Sequence, residues 1–78
     1  MKSLRKLFSE ILDVKTQKLS HKSSPQNISE WDSVNNLILI SEIEKEYGVV
    51  ITIEDVYKLK SLGDVYEFIK SHGIKVKF

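Results

Sequence analysis

One stretch constrains the fold of this chain more than any other: residues 34–47 contain neither glycine nor proline and are directly preceded by Asp32-Ser33. A short side-chain oxygen at a helix start accepts a hydrogen bond from a backbone N–H that has no partner inside the helix, so either Asp32 or Ser33 can be the N-cap. Gly48 is suited to end the helix in a left-handed conformation. The stretch therefore predicts a long helix that starts at Asp32 or Ser33.

The apolar residues of this helix fall on two faces. One stripe repeats at helical spacing and is suited to a core: Leu39, Ile40, Ile43 and Tyr47. A second set lies outside that stripe, near the start of the helix: Val34, Leu37 and Ile38. Such a helix is either buried on all sides or buries one face and offers the other to a partner. Ser33, beside the second face, is well placed for a covalent attachment.

Length and composition narrow the class of protein. A chain of 78 residues makes one domain, 1–78, and so small a domain does not easily build a cleft with a preorganised catalytic shell. It has no cysteine, which excludes disulfides and thiolate metal sites, and neither histidine has a second ligand at a suitable spacing. No apolar run reaches eighteen residues. We therefore expect a cytoplasmic monomer with no metal site and no membrane insertion.

Two further helices and a long connection complete the predicted bundle. The first helix covers 3–13, with Ser3 as N-cap and one apolar face, made of Leu4, Leu7, Phe8, Ile11 and Leu12. The last helix runs from the cap Ser61 to about Ser71. Residues 14–31 form a polar connection that needs apolar anchors, for which we expect Leu19, Ile28 and Trp31.

A short helix and a tail fill the remaining sequence. Thr52 with Asp55 resembles a capping box, and the helix after it has four apolar positions: Ile53, Val56, Tyr57 and Leu59. The tail, 74–78, alternates like a strand and should lie back over the bundle or fray. His21, set among lysines and serines, should be solvated.

These elements predict an all-α fold: a small antiparallel bundle of three main helices plus one short helix, with a long loop between helices one and two. We expect its core to contain Leu7, Ile11, Leu39, Ile43, Tyr47, Ile51 and Ile69.

The same stretch resembles a known family. Asp32-Ser33-Val34 is similar to the Asp-Ser-Leu signature of acyl carrier proteins. The spaced apolar positions after the serine match too, as do the acidic position Glu44 and the segment 61–65, Ser-Leu-Gly-Asp-Val. The match is strongest over 31–70, and the tail has no counterpart. The net charge of +1 departs from the family, whose members are usually strongly acidic.

The resemblance implies a carrier without catalytic residues of its own. In the family, the serine that matches Ser33 carries 4′-phosphopantetheine, transferred from coenzyme A by a phosphopantetheinyl transferase, and Asp32 accompanies it. The carrier holds acyl or aminoacyl intermediates as thioesters. It presents them to acyl-activating, acyl-transferring or synthase enzymes in lipid, polyketide or specialised pathways.

The resemblance also places partner docking on the exposed side of the serine helix. The expected docking residues are Val34, Leu37, Ile38, Ser41, Glu42, Lys45 and Glu46. Acidic residues would steer encounter with basic partner surfaces, and apolar ones would seal the contact. Nucleic-acid binding is not expected, because the basic residues are scattered and carry no groove-reading motif.

Other interpretations of the helix remain. The chain could be a small helical interaction domain without a prosthetic group, which uses the same apolar face to bind a partner helix. Ser33 could be only an N-cap, because serine is common at helix starts. A nucleophilic Ser33 would need a base and an oxyanion hole, and neither His21 nor His72 neighbours it in the sequence.

Overall fold

The computed structural model describes residues 2–78 and shows an all-helical chain. Its α-helices are α1 (Leu4–Leu12), α2 (Ser33–Tyr47), α3 (Ile53–Lys58) and α4 (Leu62–Ser71), and a 3₁₀ turn covers Thr16–Lys18. Within residues 2–78 there is no strand, so the prediction of three main helices and one short helix is confirmed. Ser3 caps α1 as predicted, and Asp13 ends it in the left-handed region at φ 56°.

The core lies where the predicted helical stripes meet. It is built from buried side chains of α1, α2, α4 and the connections: Leu4, Leu7, Phe8, Leu12, Leu19, Ile28, Trp31, Leu39, Ile43, Tyr47, Val49, Leu62, Val65 and Ile69. Most of the predicted core is confirmed. Ile11 and Ile51 are the exceptions, since both are half-buried and pack against the core from its edge.

The long connection between α1 and α2 is pinned by the predicted anchors. Leu19, Ile28 and Trp31 are all buried. The loop also makes main-chain contacts that were not predicted: the carbonyl of Ser23 accepts the Leu62 N–H at 2.8 Å, and the carbonyl of His21 accepts the Gly63 N–H at 3.0 Å. The loop therefore closes the start of α4.

The tail folds back over the start of α1, one of the two predicted outcomes. The backbone N–H groups of Leu4 and Arg5 donate to the main-chain oxygens of Lys77 and Phe78, each at 2.8 Å. The Phe78 ring stacks on His21 with centroids 3.8 Å apart, and Tyr66 meets both rings edge-on. His21 is exposed as predicted, but its ring is part of this aromatic cluster rather than fully surrounded by water.

The short helix α3 touches the core along one side. Its predicted capping box is confirmed, with the Asp55 N–H donating to the Thr52 hydroxyl and the Thr52 N–H donating to the Asp55 carboxylate. Val56 is half-buried, whereas Ile53 and Tyr57 are 76% and 75% exposed. A helix of six residues has only one side against the bundle, so its apolar positions do not all become core.

Candidate functional site

The first turn of α2 presents Ser33 at the surface. Asp32, not Ser33, is the N-cap: its Oδ1 accepts the Asn35 N–H at 2.8 Å. Ser33 is therefore the first helical residue, and its side chain is exposed. Because the Asp32 carboxylate is engaged in the cap, Ser33 does not have to serve as the cap itself.

The chain that enters α2 is fixed on both sides of Asp32. Trp31 is 2% exposed, packs edge-on against Phe8 with ring centroids 5.2 Å apart, and donates its Nε1–H to Asn36 Oδ1 at 2.9 Å. Asn35 donates its Nδ2–H to the Glu30 carbonyl at 2.8 Å. Trp31 was predicted as an anchor from its size alone. The two asparagines were missed, although side-chain amides at the third and fourth helical positions are a signal for contact with the preceding chain.

The start of α2 also has backbone N–H groups that are available to an anion. The backbone N–H groups of Ser33 and Val34 have no acceptor within the part of the chain that the structure describes, residues 2–78. Unpaired N–H groups and the helix macrodipole make such an end favourable for an anion. A phosphate ester on the Ser33 hydroxyl would carry its negative charge to this position.

The second apolar face of α2 is exposed, as one of the two expected arrangements. Val34 and Leu37 are 67% and 70% exposed, and Ile38 is 46% exposed. Ser41, on the same side of the helix, is exposed as well. On the predicted core stripe, Leu39, Ile43 and Tyr47 are buried, whereas Ile40 is only half-buried, at the edge of that face. One helix thus supplies the core with one face and leaves three large apolar side chains at the surface.

The charged residues of α2 fall into two groups. Glu42 and Lys45 form a surface ion pair at 3.4 Å beside the exposed face. Glu44 and Glu46 are held by backbone N–H groups instead, those of Ile51 at 2.8 Å and Lys2 at 2.9 Å. Glu42 and Glu46 are one turn apart on the helix and both lie near the Lys2 side chain, and Glu46 is also bonded to the start of the chain through the Lys2 N–H.

The end of α2 is tied to the start of the chain through Tyr47. Its hydroxyl donates to the Lys2 carbonyl at 3.0 Å. Burial, together with the nearby Glu46 carboxylate, raises the pKa of the Tyr47 phenol to about 12. The phenol therefore stays protonated and acts as a structural hydrogen-bond donor at neutral pH.

The core beside the buried face of α2 contains little empty space. A partly open pocket between α1, α2, α3 and α4, lined among others by Phe8, Trp31 and Asn36, measures about 10 Å³, which is at most the room for one water molecule. Among residues 2–78, no group of three His, Cys, Asp or Glu side chains is arranged to hold a metal ion. In the same range, no helix is long and apolar enough to cross a membrane.

Both histidines are engaged elsewhere in the fold. His21 stacks on Phe78, and His72 Nδ1 lies 2.9 Å from the Phe68 carbonyl at the end of α4. Within residues 2–78, neither ring hydrogen-bonds Ser33. The arrangement at Ser33 is an exposed hydroxyl on a firmly anchored helix start, suited to being modified.

Comparison with known proteins agrees with this geometry. The family model "Phosphopantetheine attachment site" matches residues 2–69. The acyl carrier protein of Lactobacillus johnsonii is 30% identical over 66 residues, which cover 85% of this chain and 82% of the relative. That of Rickettsia bellii strain RML369-C is 32% identical over 71 residues, covering 87% and 83%, and that of Buchnera aphidicola subsp. Schizaphis graminum is 30% identical over 74 residues, covering 95% and 94%. The chain therefore belongs to the acyl carrier protein family, whose members have a phosphopantetheine attachment site.

Proposed function

We propose that this acyl carrier protein bears 4′-phosphopantetheine on Ser33 and holds acyl or aminoacyl groups on that arm. The observation that carries the proposal is the exposure of Ser33 at a helix start whose first two N–H groups have no acceptor within residues 2–78. The hydroxyl is accessible to a modifying enzyme, and the N–H groups can meet the phosphate that results.

Coenzyme A is the donor of phosphopantetheine in the attachment step. The Ser33 oxygen attacks the phosphorus next to the pantetheine in the presence of Mg²⁺ and a phosphopantetheinyl transferase. A new phosphate ester forms, the pyrophosphate bond breaks, 3′,5′-ADP leaves, and the serine proton passes to a base of the transferase. The arm then supplies a terminal thiol that holds an acyl group as a thioester.

The chain's own part is tethering and presentation. The arm raises the effective concentration of the acyl group at whichever enzyme docks. Transfer chemistry on this account belongs to the acyl-activating, acyl-transferring or synthase enzymes that the carrier visits.

Docking is assigned to the exposed face of α2. Val34, Leu37 and Ile38 offer apolar area near Ser33, and Ser41, Glu42 and Lys45 border it. A partner surface with an apolar centre and basic rim would fit this arrangement. Glu46, one turn beyond Glu42, extends the acidic border, and its carboxylate also accepts the Lys2 N–H.

The test is modification of the purified apo chain with coenzyme A, Mg²⁺ and a phosphopantetheinyl transferase, followed by intact mass and peptide mapping. We expect one phosphopantetheine on the wild type and on Ser29→Ala, which removes a nearby exposed serine, and none on Ser33→Ala. Addition of an acyl group should then give a thioester that hydroxylamine releases. No modification by several transferases, or modification of another serine, would favour the helical interaction domain instead.

A further inference from the structure

Three side chains of α2 and its entry segment form a compact set of contacts around Ser33. We name Trp31, Asn35 and Asn36 the entry latch. Asn36 accepts the Trp31 indole N–H at 2.9 Å, and Asn35 donates to the Glu30 carbonyl at 2.8 Å while its own backbone N–H donates to Asp32. The two residues before Asp32 are thus held by the third and fourth residues of the helix.

The latch differs from the usual way of fixing a helix entry. A residue just before the N-cap commonly packs on the fourth helical residue through apolar contact alone. Here that pair is Trp31 and Asn36, and it adds a directional hydrogen bond. The indole is 2% exposed and also packs on Phe8, so loss of the Asn36 oxygen would leave a buried donor without a partner.

Ser33 lies between the two ends of this latch. Trp31 is two residues before it and Asn36 is three residues after it. We expect that loss of this hydrogen bond changes the angle at which the chain enters α2. Group transfer is sensitive to such changes, because a displacement of about 1 Å at a reacting atom can lower a rate by a large factor.

We propose that Asn36, acting through Trp31, is a positioning residue for the modification of Ser33. The inference rests on the proposed function, since it concerns the rate of that same step. Asn36 touches neither the reacting oxygen nor the donor. It holds the first turn of α2 in the geometry that the transferase must engage.

The test is steady-state modification kinetics with coenzyme A and a phosphopantetheinyl transferase. Asn36→Leu removes the acceptor and Trp31→Phe removes the donor. Each should lower kcat by roughly tenfold, with KM for the carrier within about twofold of wild type, because docking residues are untouched. The double variant should lose no more than the poorer single variant, because both remove the same hydrogen bond. Asn36→Asp keeps an oxygen acceptor and should retain most of kcat.

The matched control is Tyr47→Phe. It deletes another partly buried side-chain hydrogen bond, the 3.0 Å bond to the Lys2 carbonyl, at the far end of α2. It should lower the melting temperature by an amount similar to Asn36→Leu and leave kcat unchanged. The fluorescence of Trp31, the one tryptophan of the chain, checks the packing of every variant except those that replace it.

Each outcome has a defined meaning. A fall in kcat for both latch variants, without one for Tyr47→Phe, supports the proposal. Unchanged kcat for both, or an equal fall for Tyr47→Phe, overturns it and leaves the latch as a stabilising contact only. In either case, modification of the wild type leaves the proposed function standing. A wild type that is never modified overturns the proposed function as well.

Discussion

Helices α2 and α4 both begin with a side-chain N-cap, but their first turns lie in different surroundings. Asp32 and Ser61 each accept the N–H of the third helical residue, at 2.8 Å and 3.1 Å. Yet the first residue of α4, Leu62, is completely buried, whereas Ser33 at the same position of α2 is exposed. The cap decides where each helix starts and does not decide what its first turn faces.

The difference lies in main chain from distant parts of the sequence. The first two N–H groups of α4 donate to carbonyls of the long loop, and those of α1 donate to the tail. Within residues 2–78, the first two N–H groups of α2 have no such acceptor. Distant main chain therefore closes the starts of α1 and α4, whereas the start of α2, which carries the candidate attachment serine, stays open, as does that of the short helix α3.

The largest expected effect compares the two first turns directly. Leu62→Ala removes a side chain with no exposed surface and should lower the free energy of unfolding by about 2–5 kcal/mol. Val34→Ala, in the first turn of α2, should change it by less than about 0.5 kcal/mol, because the side chain is 67% exposed. Urea unfolding curves measure both. Similar losses for the two variants would contradict the contrast between a closed and an open start.

The next effect concerns the close approach of the loop to α4. A Cβ at Gly63 would lie 2.9 Å from the His21 carbonyl oxygen, so Gly63→Ala forces the loop away and weakens its hydrogen bonds to α4. We expect a loss of about 1–3 kcal/mol. Ser33→Ala is the control, since no loop covers that turn, and it should leave stability nearly unchanged. A neutral Gly63→Ala would show that the loop does not close α4 in solution.

The N-caps Asp32 and Ser61 should contribute similar amounts to the free energy of unfolding. Asp32→Ala and Ser61→Ala should each lower the free energy of unfolding by about 0.5–2 kcal/mol, measured by chemical denaturation. Their functional effects should differ: Asp32→Ala loosens the turn that presents Ser33 and should slow its modification, and Ser61→Ala should not. If Ser61→Ala slowed modification equally, reduced stability rather than the local turn would be the cause.

The smallest expected effect is the pH dependence of stability that comes from the capping box of α3. Hydrogen bonds from the Thr52 N–H and hydroxyl lower the pKa of Asp55. Because its folded pKa lies below the unfolded one, this carboxylate stabilises the protein at neutral pH, and the contribution is lost as the pH falls through the folded pKa. Asp55→Asn should therefore remove a small part of the decline in stability between about pH 5 and pH 2. An identical decline in wild type and variant would exclude the effect.

Local features of the structure could be predicted from the sequence. The spacing of Leu39, Ile43 and Tyr47 identified the buried face of α2, and the short polar residues Ser3, Thr52 and Ser61 identified three helix caps. These succeed because a helix start and a helix face depend on residues within one or two turns of each other.

Contacts between distant segments could not be predicted in this way. The backbone bonds from Leu62 to Ser23 and from Leu4 to Lys77 involve groups that every residue has, so no residue type marks them. The hydrogen bond from the Lys2 N–H to the Glu46 carboxylate joins residues 44 positions apart and was likewise not predicted. At the candidate site, Ser33 was found from its motif, and the latch through Asn36 required the structure.

The most direct test of the account is an amide NMR comparison of the ¹⁵N-labelled chain before and after modification with coenzyme A. We predict that the phosphate is attached at Ser33 and that the backbone N–H signals of Ser33 and Val34 shift the most, because their N–H groups are the ones open to it. Those of Leu62 and Gly63, already bonded to the loop, should stay in place. Attachment at another residue, or unshifted Ser33 and Val34 signals after attachment at Ser33, would contradict the account.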